Sequence, residues 1–254
     1  MLTALLKILR ILVHVLHGSG IVLWRFQALT PEQRDQALVS WAAQLMAILD
    51  IQVEVNGVAP IRGVLVSNHV SWLDIHVLHA LLPARFVSKE EVRDWPLIGR
   101  LAEATGTIFL TRGRKSDALR VNQLIAARLN AGEILAIFPE GTTSDGRGLL
   151  PFFPFLFQPA AEAGCPVIPC VIHYRHADGG YCHDAAYYGD MSLLGSLWRV
   201  ARMRKLMVRV EFLPSLNAGN RRELAALAET AVRSRLTGPA LDAQEKRDQA
   251  NLIP

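Results

Sequence analysis

From residue 51 onward the chain alternates short apolar runs with longer stretches of helical periodicity, and that alternation confines it to an α/β fold. Runs at 51–55, 63–67, 85–88, 107–111, 134–138, 167–172 and 208–213 read as strands. Helices fit between several of them, and the spacing predicts one over 117–131, closed by Gly132. In an open α/β sheet the functional residues are expected at strand ends. With 254 residues, 51% of them apolar, the chain can bury the core of one domain.

The first 50 residues follow a different rule. Lys7, Arg10, His14 and His17 recur at intervals of three and four, sharing one helical face, while Leu5, Leu6, Leu9, Leu12 and Leu16 belong to the apolar remainder. The charge-free runs 11–24 and 36–49 are 14 residues each, below the roughly 18 to 20 that crossing a bilayer requires. Gly18-Ser-Gly20 interrupts the first of them. The expectation is a retained amphipathic helix lying in the membrane interface, with an ordinary buried helix as the alternative, and not a cleaved export signal. A second helix is announced at Thr30, where Pro31 suits the first turn and Gln33 can complete a capping box. Its apolar stripe is Leu38, Trp41, Ala42, Leu45, Ile48 and Leu49. The organisation expected is an N-terminal amphipathic helical hairpin over 1–50, a catalytic domain over 51–238 and a polar tail over 239–254.

Charge narrows the partners. Twenty-seven Lys and Arg against 23 Asp and Glu give +4, which suits an anionic lipid surface and lacks the basic stripe of a nucleic-acid binder. Cys165, Cys170 and Cys182 are an odd set without framework spacing, so reduced thiols on the cytoplasmic side are expected. His173, His176, Cys182 and His183 match no zinc spacing, so no metal is expected.

The chemistry-bearing stretch is Ser67-Asn-His-Val-Ser-Trp-Leu-Asp74, where an apolar strand ends in Asn68-His69 and Asp74 follows five residues on. Residues five apart on a helix point about 140° from each other, so His69 must precede the helix that carries Asp74. From the first turn Asp74 can reach back to one imidazole nitrogen and leave the other free, the layout of an oriented general base. The same letters also fit a capped helix start, Ser71-x-x-Asp74, beside a turn histidine. Further on, 106–113 reads as a strand that brings Arg112 to a turn at Gly113, with Arg114 and Lys115 adjacent. That is either a planar fork for a phosphate monoester or a solvated basic turn. A third buried strand ends in Pro139-Glu-Gly-Thr-Thr-Ser144, where Glu140 can meet a substrate hydroxyl or hold Arg112 and Gly141 admits close backbone approach, or where the loop is simply a turn. No Gly-x-Ser-x-Gly elbow and no P-loop occurs, against a serine hydrolase or an NTPase.

Taken in order, these stretches resemble the four motifs of the glycerophospholipid acyltransferase family, most closely its bacterial 1-acylglycerol-3-phosphate acyltransferases: Asn68-His69 with Asp74, Gly106 to Arg112-Gly113, Phe138-Pro139-Glu140-Gly141-Thr142, and Val167-Ile168-Pro169. The resemblance covers residues 50 to 215. It implies a mixed sheet flanked by helices and direct transfer of an acyl group from acyl-CoA or acyl carrier protein to a lysophospholipid hydroxyl, yielding phosphatidate. On that reading His69 and Asp74 form the base pair, while Arg112, Gly113, Glu140, Gly141 and Thr142 bind the acceptor. It also implies no cofactor and a site at the cytoplasmic face of a bacterial inner membrane. One departure stands out: where the family commonly carries Phe-Lys-Lys-Gly, residues 150–157 read Leu-Pro-Phe-Phe-Pro-Phe-Leu-Phe, uncharged and aromatic. The acceptor therefore also admits another lysolipid, such as a lyso-ornithine lipid.

Overall fold

The computed structural model describes residues 1–111 and 115–236, with side chains throughout except at 115–119. Two helices, α1 (Leu2–Trp24) and α2 (Pro31–Leu49), precede β1 (Ile51–Asn56) and β2 (Gly63–Ser67). Then follow α3 (Leu73–Leu81), β3 (Arg85–Lys89), α4 (Ile98–Ala104), β4 (Ile108–Leu110), α5 (Lys115–Asn130) and β5 (Ile134–Ile137). The chain continues through α6 (Gln158–Ala163), β6 (Val167–Arg175), α7 (Leu193–Arg202), β7 (Leu206–Phe212) and α8 (Arg221–Leu236). The polar tail expected from residue 239 falls outside the described residues.

The strands form one seven-stranded sheet in the order β1-β7-β6-β2-β5-β3-β4. Neighbours run parallel except β6 and β7, so the sheet is mixed, as expected. Every residue of β2 and β5 is buried, because helices cover both faces at the sheet's centre. One face packs on α2, α3 and α7 through Leu45, Leu49, Leu73, Val77 and Val200; the other packs on α5 and α8 through Val121, Ile125, Leu224 and Val232. Gly132, at φ +83°, ends the long helix where the sequence places the stop.

The hairpin differs from expectation in two ways. First, α1 runs unbroken through Gly18-Ser-Gly20 for 23 residues, long and apolar enough to cross a membrane by length and composition. The glycine is there for packing: a Cβ on Gly18 would lie 2.4 Å from Trp41 Nε1 on α2. Second, the polar face splits. Lys7 and His14 point into the protein with Ala4 and Ile11, Arg10 and His17 are exposed, and Leu5, Leu6, Leu9, Leu12 and Leu16 form an exposed apolar face. The two buried polar groups are satisfied. His14 Nε2 bonds the Trp41 carbonyl at 3.0 Å, and Trp41 Nε1 donates back to the His14 carbonyl. Lys7 Nζ donates to the carbonyls of Leu49 (3.0 Å) and Met203 (2.7 Å) and pairs with Asp50, closing the C-terminal ends of α2 and α7 at once. Lys7→Ala strands both carbonyls and is expected to cost about 1–3 kcal/mol, measurable as a lowered unfolding temperature in detergent micelles. The capping box at the start of α2 forms as predicted, with Thr30 and Gln33 bonded reciprocally.

Candidate active site

β2 and β5 are adjacent and parallel, so their C-terminal ends bring His69 and the 138–144 loop together. His69 is held from several sides. Asn68 exchanges two hydrogen bonds with the Ile172 backbone on β6 (3.0 and 2.9 Å), which fixes the chain just before it. The amide of His69 donates to Glu140 Oε1 at 2.7 Å, and the His69 carbonyl accepts from the Ser144 amide at 2.8 Å. The imidazole lies flat on Phe138, with centroids 3.9 Å apart and 8° between planes.

His69 does precede the helix, and Asp74 sits in the first turn of α3. Asp74 Oδ2 meets His69 Nδ1 at 2.8 Å and also accepts the amides of Val70 (2.7 Å) and Ser71 (2.9 Å). Oδ1 accepts the hydroxyl of Tyr174 at 2.5 Å. The carboxylate is fully buried, and an acceptor-only group suits four surrounding donors. The capping box does not form, since the helix has no side-chain cap bond; instead Asp74 orients the imidazole and accepts the two amides just ahead of its helix. The hydroxyl of Ser71 takes no part and has no partner. With Nδ1–H directed at Asp74, Nε2 keeps its lone pair, the state a general base needs.

Glu140 is placed unlike a ligand-facing group. Both carboxylate oxygens are occupied by backbone amides, those of His69 and Leu150, and the residue is 3% exposed. Burial pushes its carboxyl up to about 7, with those two amides pulling the other way. It ties the third motif to the backbone of His69 instead of projecting toward a ligand. Gly141, at φ +68°, and exposed Thr142 line the adjoining cavity. Arg112 and Gly113, with Arg114, lie outside the described residues; Thr111, just before them, lines the same cavity.

That cavity measures about 1270 Å³. His69 and Phe138 open onto it, and its walls come largely from apolar side chains of α1, α2, α3 and α4, including Ile11, Val15, Trp41, Ile75 and Leu101. The aromatic departure at 150–157 divides its labour. Phe152 and Phe157 are buried in the core, whereas Phe153 and Phe155 are about half exposed and line the cavity. A shallower hollow of about 590 Å³ between α6 and the start of α8 contains none of the expected site residues.

Two partners escaped the sequence. Tyr174 lies beyond the end predicted for β6, although Cys170, Ile172 and Tyr174 alternate onto the face that packs toward α3. Phe138 was visible as a strand end and as the first residue of the third motif, but not as the ring that stacks on His69.

An oriented histidine at the end of a central strand, opening onto a long apolar cavity, is the equipment of an enzyme that handles lipid chains. A family model for acyltransferases matches residues 51–173. The chain is 42% identical to the lyso-ornithine lipid O-acyltransferase of Pseudomonas aeruginosa, over 97% of this chain and 98% of that one. It is 37% identical to the 1-acyl-sn-glycerol-3-phosphate acyltransferase of Neisseria meningitidis, over 78% and 79%. The crystal structure of the 1-acyl-sn-glycerophosphate acyltransferase from Thermotoga maritima superposes with a TM-score of 0.67 over 92% of this chain and 93% of that one, at 20% identity, and so shares the fold. The chain belongs to the glycerophospholipid and lysolipid acyltransferase family. The narrower likeness to 1-acylglycerol-3-phosphate acyltransferases is not the clear closest, because similarity is divided almost evenly between two acceptor classes.

Proposed function

We propose that this protein O-acylates a lyso-ornithine lipid, taking the acyl group from acyl-CoA or acyl carrier protein at the cytoplasmic face of a bacterial inner membrane. The likeness over nearly the full length to a lyso-ornithine lipid O-acyltransferase carries this reading. The uncharged 150–157 segment supports it, since an acceptor without a phosphate monoester has less need of lysines there. An amino-acid headgroup still offers a carboxylate, which the planar guanidinium fork of an arginine such as Arg112 suits as well as it suits phosphate.

In the mechanism, His69 Nε2 takes the proton of the acceptor hydroxyl as its oxygen attacks the thioester carbonyl carbon. Collapse of the tetrahedral intermediate breaks the C–S bond, and the thiolate leaves with the proton returned by the imidazolium. Asp74 stabilises that imidazolium and Glu140 holds the His69 backbone in place, while Gly141 and Thr142 border the space the acceptor enters. The acyl chain lies in the apolar cavity, and the exposed leucine face of α1 rests in the bilayer in a monotopic arrangement.

Tyr174→Phe tests the wiring of the base. Without the hydroxyl, Asp74 Oδ1 loses its donor in a fully buried site, so the variant is expected to lose about 1–3 kcal/mol of stability, read as a lowered unfolding temperature, with acyl transfer measured beside it.

The second reading keeps the chemistry and makes phosphatidate from 1-acylglycerol-3-phosphate, as the name of the Neisseria relative states for that protein. Arg114 and Lys115 beside Arg112 favour it. Transfer assays with purified enzyme, both donors and a panel of lysolipids separate the two. Brisk turnover of lysophosphatidate with none of the lyso-ornithine lipid would sink the first reading.

A further inference from the structure

Among the histidines near the active site, His76 is the exception. His69 is bonded to Asp74, His14 to the Trp41 carbonyl and His79 to the Ala84 carbonyl. His76, on α3 two residues past Asp74, lines the cavity with its ring between Trp41 (5.7 Å) and Trp72 (5.8 Å, edge-on). No hydrogen bond reaches it from the described residues, and its Nδ1 is buried without a partner.

Burial, helped by His79 and His14 nearby, holds the ring neutral, with its pKa lowered to about 3. A neutral imidazole carries one N–H and one lone pair. An orphaned acceptor is better tolerated in protein interiors than an orphaned N–H, so the proton belongs on Nε2, leaving the enclosed Nδ1 with the lone pair. A leucine would serve a plain hydrocarbon better at this position, because a chain that fills the cavity strips water from the Nε2–H, which no described residue meets, and only a polar ligand atom restores that bond.

We propose that His76 is a hydrogen-bonding station in the wall of the lipid cavity, and that the chain received there carries an oxygen acceptor, either a hydroxyl or an amide carbonyl. The inference rests on the reading of the cavity as the place of a lipid chain. It names a specificity-determining residue apart from the base pair. The oxygen has two possible sources: the acyl chain of the donor or, in an acceptor whose chain is joined to its headgroup by an amide, that carbonyl.

The test uses the full-length protein in mixed micelles and two arms. In the donor arm, hexadecanoyl-CoA is compared with hydroxyhexadecanoyl-CoAs bearing the hydroxyl at different carbons, against one acceptor. In the acceptor arm, amide-linked lysolipids are compared with ether-linked ones, which lack the carbonyl oxygen, using hexadecanoyl-CoA as donor. The expected result is a wild-type preference of about 10-fold or more in kcat/KM for the oxygen-bearing chain in one arm. His76→Leu should erase that preference and His76→Gln should retain part of it, while His76→Leu unfolds at the same or a higher temperature because no polar ring is left unmet. A wild-type enzyme indifferent in both arms overturns the proposal, and so does a preference that His76→Leu leaves unchanged. If lysophosphatidate proves the true acceptor, the lyso-ornithine reading fails, yet the donor arm still decides the role of His76.

Discussion

Replacing His69 with alanine is expected to cut acyl transfer by about 10²- to 10⁴-fold, the usual contribution of one positioned general base. The loss should fall on kcat, because the cavity and the residues around the acceptor remain. The fold should survive. The His69 backbone bonds to Glu140 and Ser144 do not depend on its ring, and Asp74 Oδ2 keeps the amides of Val70 and Ser71. Release of free thiol from acyl-CoA in the presence of acceptor, followed beside thermal unfolding, measures both. Thiol release at the wild-type rate from a folded variant would falsify the mechanism.

Asp74→Asn should be nearly as damaging, through charge and not through shape. The amide fits the site in one orientation, with its oxygen toward His69, Val70 and Ser71 and its NH₂ toward the Tyr174 hydroxyl, which can turn to accept. The imidazole stays aligned, but the imidazolium formed during transfer loses its counter-charge. A loss of about 10³- to 10⁴-fold is expected, by analogy with the carboxylate of hydrolase triads. Asp74→Ala should differ by also destabilising the protein by about 3–5 kcal/mol, since it leaves several buried donors unmet. If Asp74→Asn keeps wild-type activity while Asp74→Ala unfolds at a lower temperature and loses it, Asp74 acts as a structural cap alone.

The sheet was legible because each buried strand writes itself as a compact run of Val, Ile and Leu, and 51–55 through 208–213 all became strands. His69 and Asp74 were legible because strand end, turn and first helical turn are local events within eight residues. Partners contributed by distant segments were not. Tyr174 lies 100 residues from Asp74 and meets it only because β6 pairs with β2. Glu140 shows the complementary limit: its place in a loop rich in turn residues was plain, but the direction of its side chain depends on two amides, from His69 and Leu150, that only the assembled sheet brings near. The hairpin misled for a related reason. Periodicity identifies the polar face of α1 but cannot say whether water or protein lies against it, and the carbonyls that receive Lys7 belong to residues 49 and 203.

Lys7 and the residues a turn beyond it give the first helix a double occupation. Ile11 and Val15 form part of the cavity wall, while leucines on the opposite side of the same helix face outward. On the proposed seating of those leucines in lipid, a change of bilayer thickness, curvature or detergent also presses on the chamber from outside, so activities recorded in different micelles would differ through its shape as well as through access of substrate. Deleting the helix to obtain a tractable fragment would remove one wall of the cavity.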